Sequence, residues 1–271
     1  MTIFPNAKIN IGLWITSGRD DGFHNIETIF YPVGLKDACE FVMQENGSDS
    51  DEFTQTGYKT DCRMSDNLVM KAVNLVRKKY NIPALKIHLH KAIPAGSGLG
   101  GGSSDAAFML RYLNRYFRIG LCNNDLKAMA IELGSDCPFF ISNIPSHASG
   151  KGENLKKVPA KLSGYYILIV NPGIQINTGE AYASSTPMER DTDLADIYRL
   201  PPEQWKNAII NDFEPLIFNR YPVIGELKEE LYRQGAIYSS MSGSGSSVYG
   251  IFRNEPPANI FRDYFTWKGS L

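Results

Sequence analysis

A two-domain α+β chain is predicted from three features of the 271 residues. Apolar side chains alternate at period two in several short stretches, and elsewhere they recur at helical spacing. Between residues 144 and 163 large apolar side chains are scarce and Pro145, Gly150, Gly152 and Pro159 cluster. That segment is the expected junction, giving domains at 1–152 and 153–271, each with a largely antiparallel sheet.

The elements follow in order. Ile3, Ile9, Ile11, Leu13 and Ile15 predict a strand over residues 3–16. The run Ser17-Gly18-Arg19-Asp20-Asp21-Gly22 is turn chemistry, and a second strand covers 26–33. Residues 41–43 read as a third strand, and the polar run 45–58 as a loop or a sheet-edge excursion. Leu68, Ala72, Leu75 and Val76 predict a helix over 67–79, capped by Ser65 or Asp66. Leu85, Ile87 and Leu89 alternate with Lys86, His88 and His90, so this strand has one wet face, which places both histidines in solvent rather than on a metal. Ala106, Leu110, Leu113 and Phe117 mark a helix, and another spans 125–133, closed by Gly134. Beyond the junction, strands are expected at 165–171 and 247–252, with helices at 205–211 and 224–234.

Composition narrows the function classes. Hydrophobic residues are 43% and charged residues 21%, a mixture able to bury a core. Twenty-eight basic residues oppose 29 acidic ones, so charge offers no reason to expect nucleic acid or an anionic membrane as partner. No run approaches the ~20 apolar residues that cross a bilayer. Cys39, Cys62, Cys122 and Cys137 lie too far apart for a zinc ribbon and are expected as free thiols in the cytoplasm.

The segment Pro94-Ala95-Gly96-Ser97-Gly98-Leu99-Gly100-Gly101-Gly102-Ser103-Ser104 holds five glycines within seven residues, between a strand and a helix. Glycine permits close backbone approach and positive φ, and the following helix N-terminus presents unpaired N–H groups. Together they make a phosphate cradle. Gly96-x-Gly98-x-x-Gly101 matches a dinucleotide fingerprint, but the chain then runs from helix to helix without the second parallel strand. A Walker loop would end in Gly-Lys, and Gly102-Ser103 supplies no lysine.

This segment resembles the second motif of the GHMP kinases, the family of galactokinase and of homoserine, mevalonate and phosphomevalonate kinases. Pro5-Asn6-Ala7-Lys8-Ile9-Asn10 resembles their first motif and Met241-Ser242-Gly243-Ser244-Gly245-Ser246-Ser247-Val248 their third. Ala7-Lys8-Ile9-Asn10, Asp21-Gly22-Phe23-His24, Gly100–Gly102 and Leu133-Gly134-Ser135-Asp136-Cys137-Pro138-Phe139-Phe140 further resemble the branch that phosphorylates a diphosphocytidyl sugar alcohol. Ser135 and Cys137 are small departures from that branch, and Phe23 stands where most members have tyrosine.

The resemblance implies a two-domain α/β fold, with an N-terminal domain like the second domain of ribosomal protein S5 and a ferredoxin-like C-terminal domain. It implies ATP as co-substrate, Mg²⁺, and a small-molecule acceptor. By the same resemblance Asp136 is the catalytic carboxylate and Lys8 its charge partner. ATP would be bound by Pro94, Ala95, Gly96, Ser97, Gly98, Leu99, Gly100, Gly101, Gly102, Ser103 and Ser104, with Asn67, Leu68 and Lys91 on the adenine side. Acceptor contacts would fall to Asn10, Phe23, His24, Tyr182, Gly243, Ser244 and Gly245. Ser103 and Ser104 can each cap the helix, touch phosphate or ligate magnesium, and no acidic magnesium ligand is assigned. Retention of Lys8 and Asp136 favours an active enzyme over a silent ligand sensor.

Overall fold

The computed structural model describes residues 2–44, 50–59, 63–257 and 260–271, so Cys62 and residues 45–49 of the polar run lie outside the described residues. Along the chain come β1 (Thr2–Ile3), β2 (Asn6–Gly18), β3 (His24–Lys36), β4 (Ala38–Met43) and β5 (Glu52–Gly57). Then follow α1 (Leu68–Arg77), β6 (Leu85–Lys91), α2 (Gly101–Tyr116), α3 (Asn123–Ile131), α4 (Cys137–Ser142), β7 (Ser146–Gly150) and β8 (Asn154–Lys157). The remainder is β9 (Tyr166–Asn171), α5 (Thr178–Ala183), α6 (Leu194–Tyr198), α7 (Glu214–Arg220), α8 (Pro222–Arg233), β10 (Tyr238–Met241), β11 (Val248–Phe252) and β12 (Phe265–Ser270).

These elements form two compact units interleaved in sequence. One comprises Met1–Ala7, Leu35–Ala95 and Gly100–Asn143, and the other Lys8–Gly34, Gly96–Leu99 and Ile144–Leu271.

The first unit carries a sheet in the order β1-β4-β6-β5. β6 pairs antiparallel with β4 and parallel with β5, so the sheet-edge option for the polar run holds over Glu52–Gly57. Leu85, Ile87 and Leu89 are buried, as are Val69, Val73 and Val76 of α1 and Ala106, Met109, Leu110 and Leu113 of α2. The wet face of β6 turns His88 and His90 toward Thr56, whose hydroxyl lies 3.0 Å from a ring nitrogen of each. The cap of α1 is Asn67 rather than Ser65 or Asp66, because its Oδ1 accepts from the Val69 amide at 2.9 Å while its neighbours are wound into a 3₁₀ turn.

The second unit holds two sheets, β2-β3-β7-β8 and β10-β11-β9-β12. β9 lies between β11 and β12, which explains its unbroken buried run from Ile167 to Val170. The segment expected as a junction contains the antiparallel pair β7 and β8, with β7 joined to β3 through Ile29↔His147. Its scarcity of large apolar residues reflects a strand packed with Ser146 and Ala148. The helix expected over 205–211 is absent. Leu13 donates to the Ile210 carbonyl at 3.0 Å and accepts from the Asp212 amide at 2.8 Å, so strand-like pairing with β2 pulls these residues out of helical geometry.

Trp205 anchors this stretch. It is fully buried, stacks on Tyr198 at 5.2 Å, meets Tyr238 edge-on at 5.7 Å, and donates its indole N–H to the Leu200 carbonyl. Trp205→Ala is expected to cost about 3–5 kcal/mol in urea unfolding. An unchanged midpoint would show that the ring does not support the core.

Candidate active site

Within the second unit, three segments far apart in sequence meet. The strand β2 contributes Lys8 and Asn10, both buried. The Lys8 ammonium donates to Asn10 Oδ1 and lies 5.1 Å above the Phe30 ring. Asn10 Nδ2 donates to the Thr28 hydroxyl at 3.0 Å, and that hydroxyl donates to the Gly12 carbonyl. Thr28 thus completes a polar seam inside an apolar strand pair, where an unbonded amide would be costly. The Asn10 carbonyl accepts from the Tyr249 hydroxyl at 2.7 Å, and its amide donates to Ser242 Oγ at 3.2 Å.

Ser242 in turn donates to the Gly98 carbonyl at 2.9 Å, and the Lys8 amide donates to the Leu99 carbonyl at 2.9 Å. Gly98 has φ +78°, and a Cβ there would stand 2.0 Å from the Ser242 carbonyl oxygen. The glycine requirement therefore comes from the protein's own backbone as well as from its left-handed φ. Gly243 faces the same place, since its Cβ would meet Gly98 Cα at 3.4 Å and Asn10 Oδ1 at 3.5 Å. Asn211, buried and without a motif to mark it, donates to the Met241 and Gly243 carbonyls at 2.9 and 2.8 Å. Ser244 shares a hydroxyl contact of 3.0 Å with Thr178 at the start of α5.

The same unit holds the aromatic residues. His24 stacks on Tyr182 with centroids 5.4 Å apart, and Tyr182 stands edge-on to Phe213 at 4.9 Å. His24 Nδ1 is buried with no hydrogen-bond partner among the described residues, an exception to the usual pairing of buried polar atoms. Phe23 is not part of that stack: it is 57% exposed, with Lys151 Nζ 4.7 Å above its ring.

The first unit carries the far end of the glycine-rich segment. Gly100, at φ +71°, is the N-cap of α2 and offers no side-chain cap. Neither serine supplies one: Ser103 bonds the Cys137 side chain, and the Ser104 hydroxyl is buried without a partner among the described residues. Burial pushes the Cys137 thiol up to about 12, so it stays protonated and inert. The Ser103–Cys137 bond joins α2 to α4, and half-buried Asp136 immediately precedes α4. Its side chain makes no capping bond to that helix. Asn67 is occupied as the α1 cap, and Leu68 lies beside Gly102, whose Cβ would be 3.5 Å from Leu68 Cδ1.

Lys91 is almost wholly buried, donating to Asp37 Oδ2 and, at 2.7 Å, to Asp105 Oδ2. Burial opposes its charge, but the two carboxylates outweigh burial and hold the ammonium above its usual range. Burial pushes Asp105 up to about 7, against the pull of Lys91 and with Asp37's charge adding to the rise. Neither carboxylate was marked by a motif. An acidic residue one position past the serines, and another between two strands, were the available signals.

Comparison with known proteins gives the family. Residues 67–143 match the family model of the GHMP kinases N terminal domain, and 190–268 match that of the GHMP kinases C terminal domain. The chain belongs to the GHMP kinases. A 4-diphosphocytidyl-2-C-methyl-D-erythritol kinase of Parabacteroides distasonis is 49% identical over 276 residues, covering all of both chains. One of Bacteroides thetaiotaomicron is 47% identical, again over all of both. A crystal structure of 4-(cytidine 5'-diphospho)-2C-methyl-D-erythritol kinase superposes with a TM-score of 0.78 at 28% identity, covering 100% of this chain and 98% of that one. Among the described residues of this GHMP kinase, no helix is long and apolar enough to cross a membrane.

Two outcomes follow from this geometry. Gly98→Ala is expected to destabilise by about 2 kcal/mol or more, through the clash with Ser242 and the left-handed φ. Thermal melting checks this, and an unchanged melting temperature would show that the segment tolerates a Cβ. Asp105 holds its proton in the folded chain up to about pH 7, against 3.8 as the ordinary value. The folded state then binds more protons over that interval, so stability is greatest at its acid end and falls as pH rises through neutrality. Asp105→Asn should flatten this slope, read as melting temperature from about pH 5 to about pH 8.

Proposed function

We propose that this GHMP kinase transfers the γ-phosphoryl group of ATP to the 2-hydroxyl of 4-diphosphocytidyl-2-C-methyl-D-erythritol, in the cytoplasm, as a step toward isoprenoid precursors. Full-length similarity to relatives of that name carries the reading, and the unpartnered His24 Nδ1 beside Tyr182 supports it. Residues 1–152 would serve as the ATP-binding domain and 153–271 as the C-terminal domain.

In this proposal the N–H groups at the uncapped start of α2 receive phosphate oxygens, with the glycine-rich segment from Pro94 to Ser104 along the nucleotide. Asp136 accepts the proton of the acceptor hydroxyl as its oxygen attacks the γ-phosphorus, and the bond to the β-bridging oxygen breaks to release ADP. Lys8 supplies positive charge that stabilises the Asp136 carboxylate and the transferring group, while Asn10 orients the acceptor. His24 hydrogen-bonds the cytosine edge, and Phe23 offers a stacking face worth ~1–3 kcal/mol. Gly243, Ser244 and Gly245 lie along the acceptor. Magnesium fits the single unpartnered oxygen of Ser104, since this ion takes most of its shell from phosphate and water. When bound it neutralises charge on the β- and γ-phosphates.

Asp136→Asn should lower kcat by ~10²–10⁴-fold while ATP and acceptor still bind. Phe23→Ala and His24→Ala should raise KM for the cytidyl acceptor and leave ATP affinity unchanged. The decisive assay is ATP turnover against a panel of acceptors. Equal activity on an acceptor lacking the cytidine group would favour another GHMP kinase activity, and near-normal turnover by Asp136→Asn would assign the transfer to another group.

A further inference from the structure

Lys91 has a place in the first unit that a nucleotide ligand would not need. Its ammonium lies under the start of α2, so close that a Cβ on Gly101 would stand 3.1 Å from Nζ. A bare cation there would oppose the positive end of the helix dipole. Asp37 and Asp105 reverse that local sign. Asp105 belongs to the second turn of α2. Asp37, between β3 and β4, also accepts the amides of Ala92 and Ile93 through Oδ1 at 2.6 and 2.8 Å, and its own amide donates to the Pro5 carbonyl at 2.9 Å. All three side chains are buried.

The connections run to both flanks of the glycine-rich segment. Ala92 and Ile93 immediately precede it, Asp105 immediately follows it, and Pro5 immediately precedes the strand that carries Lys8. Burying one cation with two carboxylates is unfavourable unless the geometry satisfies them, so the cluster is an expensive way merely to fill a core. An aliphatic side chain would fill the same space. What the charged cluster adds is a directional tie among a strand end, a strand junction and a helix.

We infer that Asp37, Lys91 and Asp105 form a clamp of positioning residues that sets the spacing of the two flanks of the glycine-rich segment, so that Lys91 governs ATP affinity without touching ATP. The inference rests on the proposal that this segment holds ATP. It revises the adenine-side role that resemblance assigns to Lys91, because both carboxylates already engage the ammonium.

The test measures ATP affinity by calorimetry, acceptor KM, and melting temperature for the full chain and its variants. Asp37→Asn and Lys91→Met should each weaken ATP binding by ~10–10²-fold, as small misplacements of binding groups do. Acceptor KM should not change. Because the residues act as one unit, the effect of combining these two changes should fall short of the product of the single effects. Lys91→Met can fail to fold with two carboxylates left facing each other. Lys91→Met/Asp105→Asn removes the ammonium together with one of the groups it bonds, leaves Asp37 held by the Ala92 and Ile93 amides, and should fold, yet still bind ATP weakly. If Lys91 variants lose ATP affinity while Asp37→Asn binds ATP normally, Lys91 contacts the nucleotide directly and the clamp is wrong. Lowered melting temperatures with unchanged ATP affinity would reduce the cluster to a structural role. If the unaltered chain itself bound no ATP, the proposed function would fall and the clamp with it. Normal binding by the unaltered chain and by every variant would overturn the clamp alone.

Discussion

The approach of Gly98 to the Ser242 carbonyl is the contact on which the candidate site depends. Only a residue without a side chain lets these two backbones meet, and only there can Ser242 bond the Gly98 carbonyl and the Asn10 amide together. Residues near positions 10, 98 and 242 thereby become neighbours. The Lys8 amide on the Leu99 carbonyl adds a second tie between the same strand and the same loop. A loop held in this way is fixed by its own protein, so any ligand it takes would meet a lower ordering cost.

A second constraint is the handling of buried charge and polarity. Lys8 and Asn10 sit in a strand whose neighbours Ala7, Ile9 and Ile11 have no exposed surface. Burial is tolerable because Asn10 and Thr28 pass the hydrogen bonding along to a backbone carbonyl. Lys91 is treated differently, with two carboxylates for one ammonium. Such networks cost stability relative to apolar packing, so their presence beside a glycine-rich segment marks places where orientation matters more than burial.

The aromatic residues divide in a way that motif order could not reveal. Phe23 and His24 are adjacent in sequence, yet only His24 is part of a described ring stack with Tyr182, and Phe23 carries Lys151 on an exposed ring. Tyr182 stands on α5, a helix too short to show periodicity, and Phe213 supports it from the start of α7. The ring stack of His24 is thus built from residues more than 150 positions away, and its Nδ1 has no partner among the described residues.

The sequence by itself determined the family, the strands with clean alternation and the long helices. Period-two and helical spacings are local signals, as is the dense run of glycines. Alternation also marked His88 and His90 as wet-face residues, and the glycine run is the signal from which a phosphate cradle is proposed. Only the tertiary structure decided the rest. The stretch 205–211 carries helical spacing, but pairing with Leu13 outweighs that weak local preference. The hairpin of β7 and β8 lacks large apolar residues because Ser146 and Ala148 are sufficient for its place in the sheet. Asn211, Thr28, Asp37 and Asp105 resemble ordinary polar residues in the chain. Each acquires its role from burial and from partners distant in sequence, and no local pattern encodes a hydrogen bond that exists only after the core has closed.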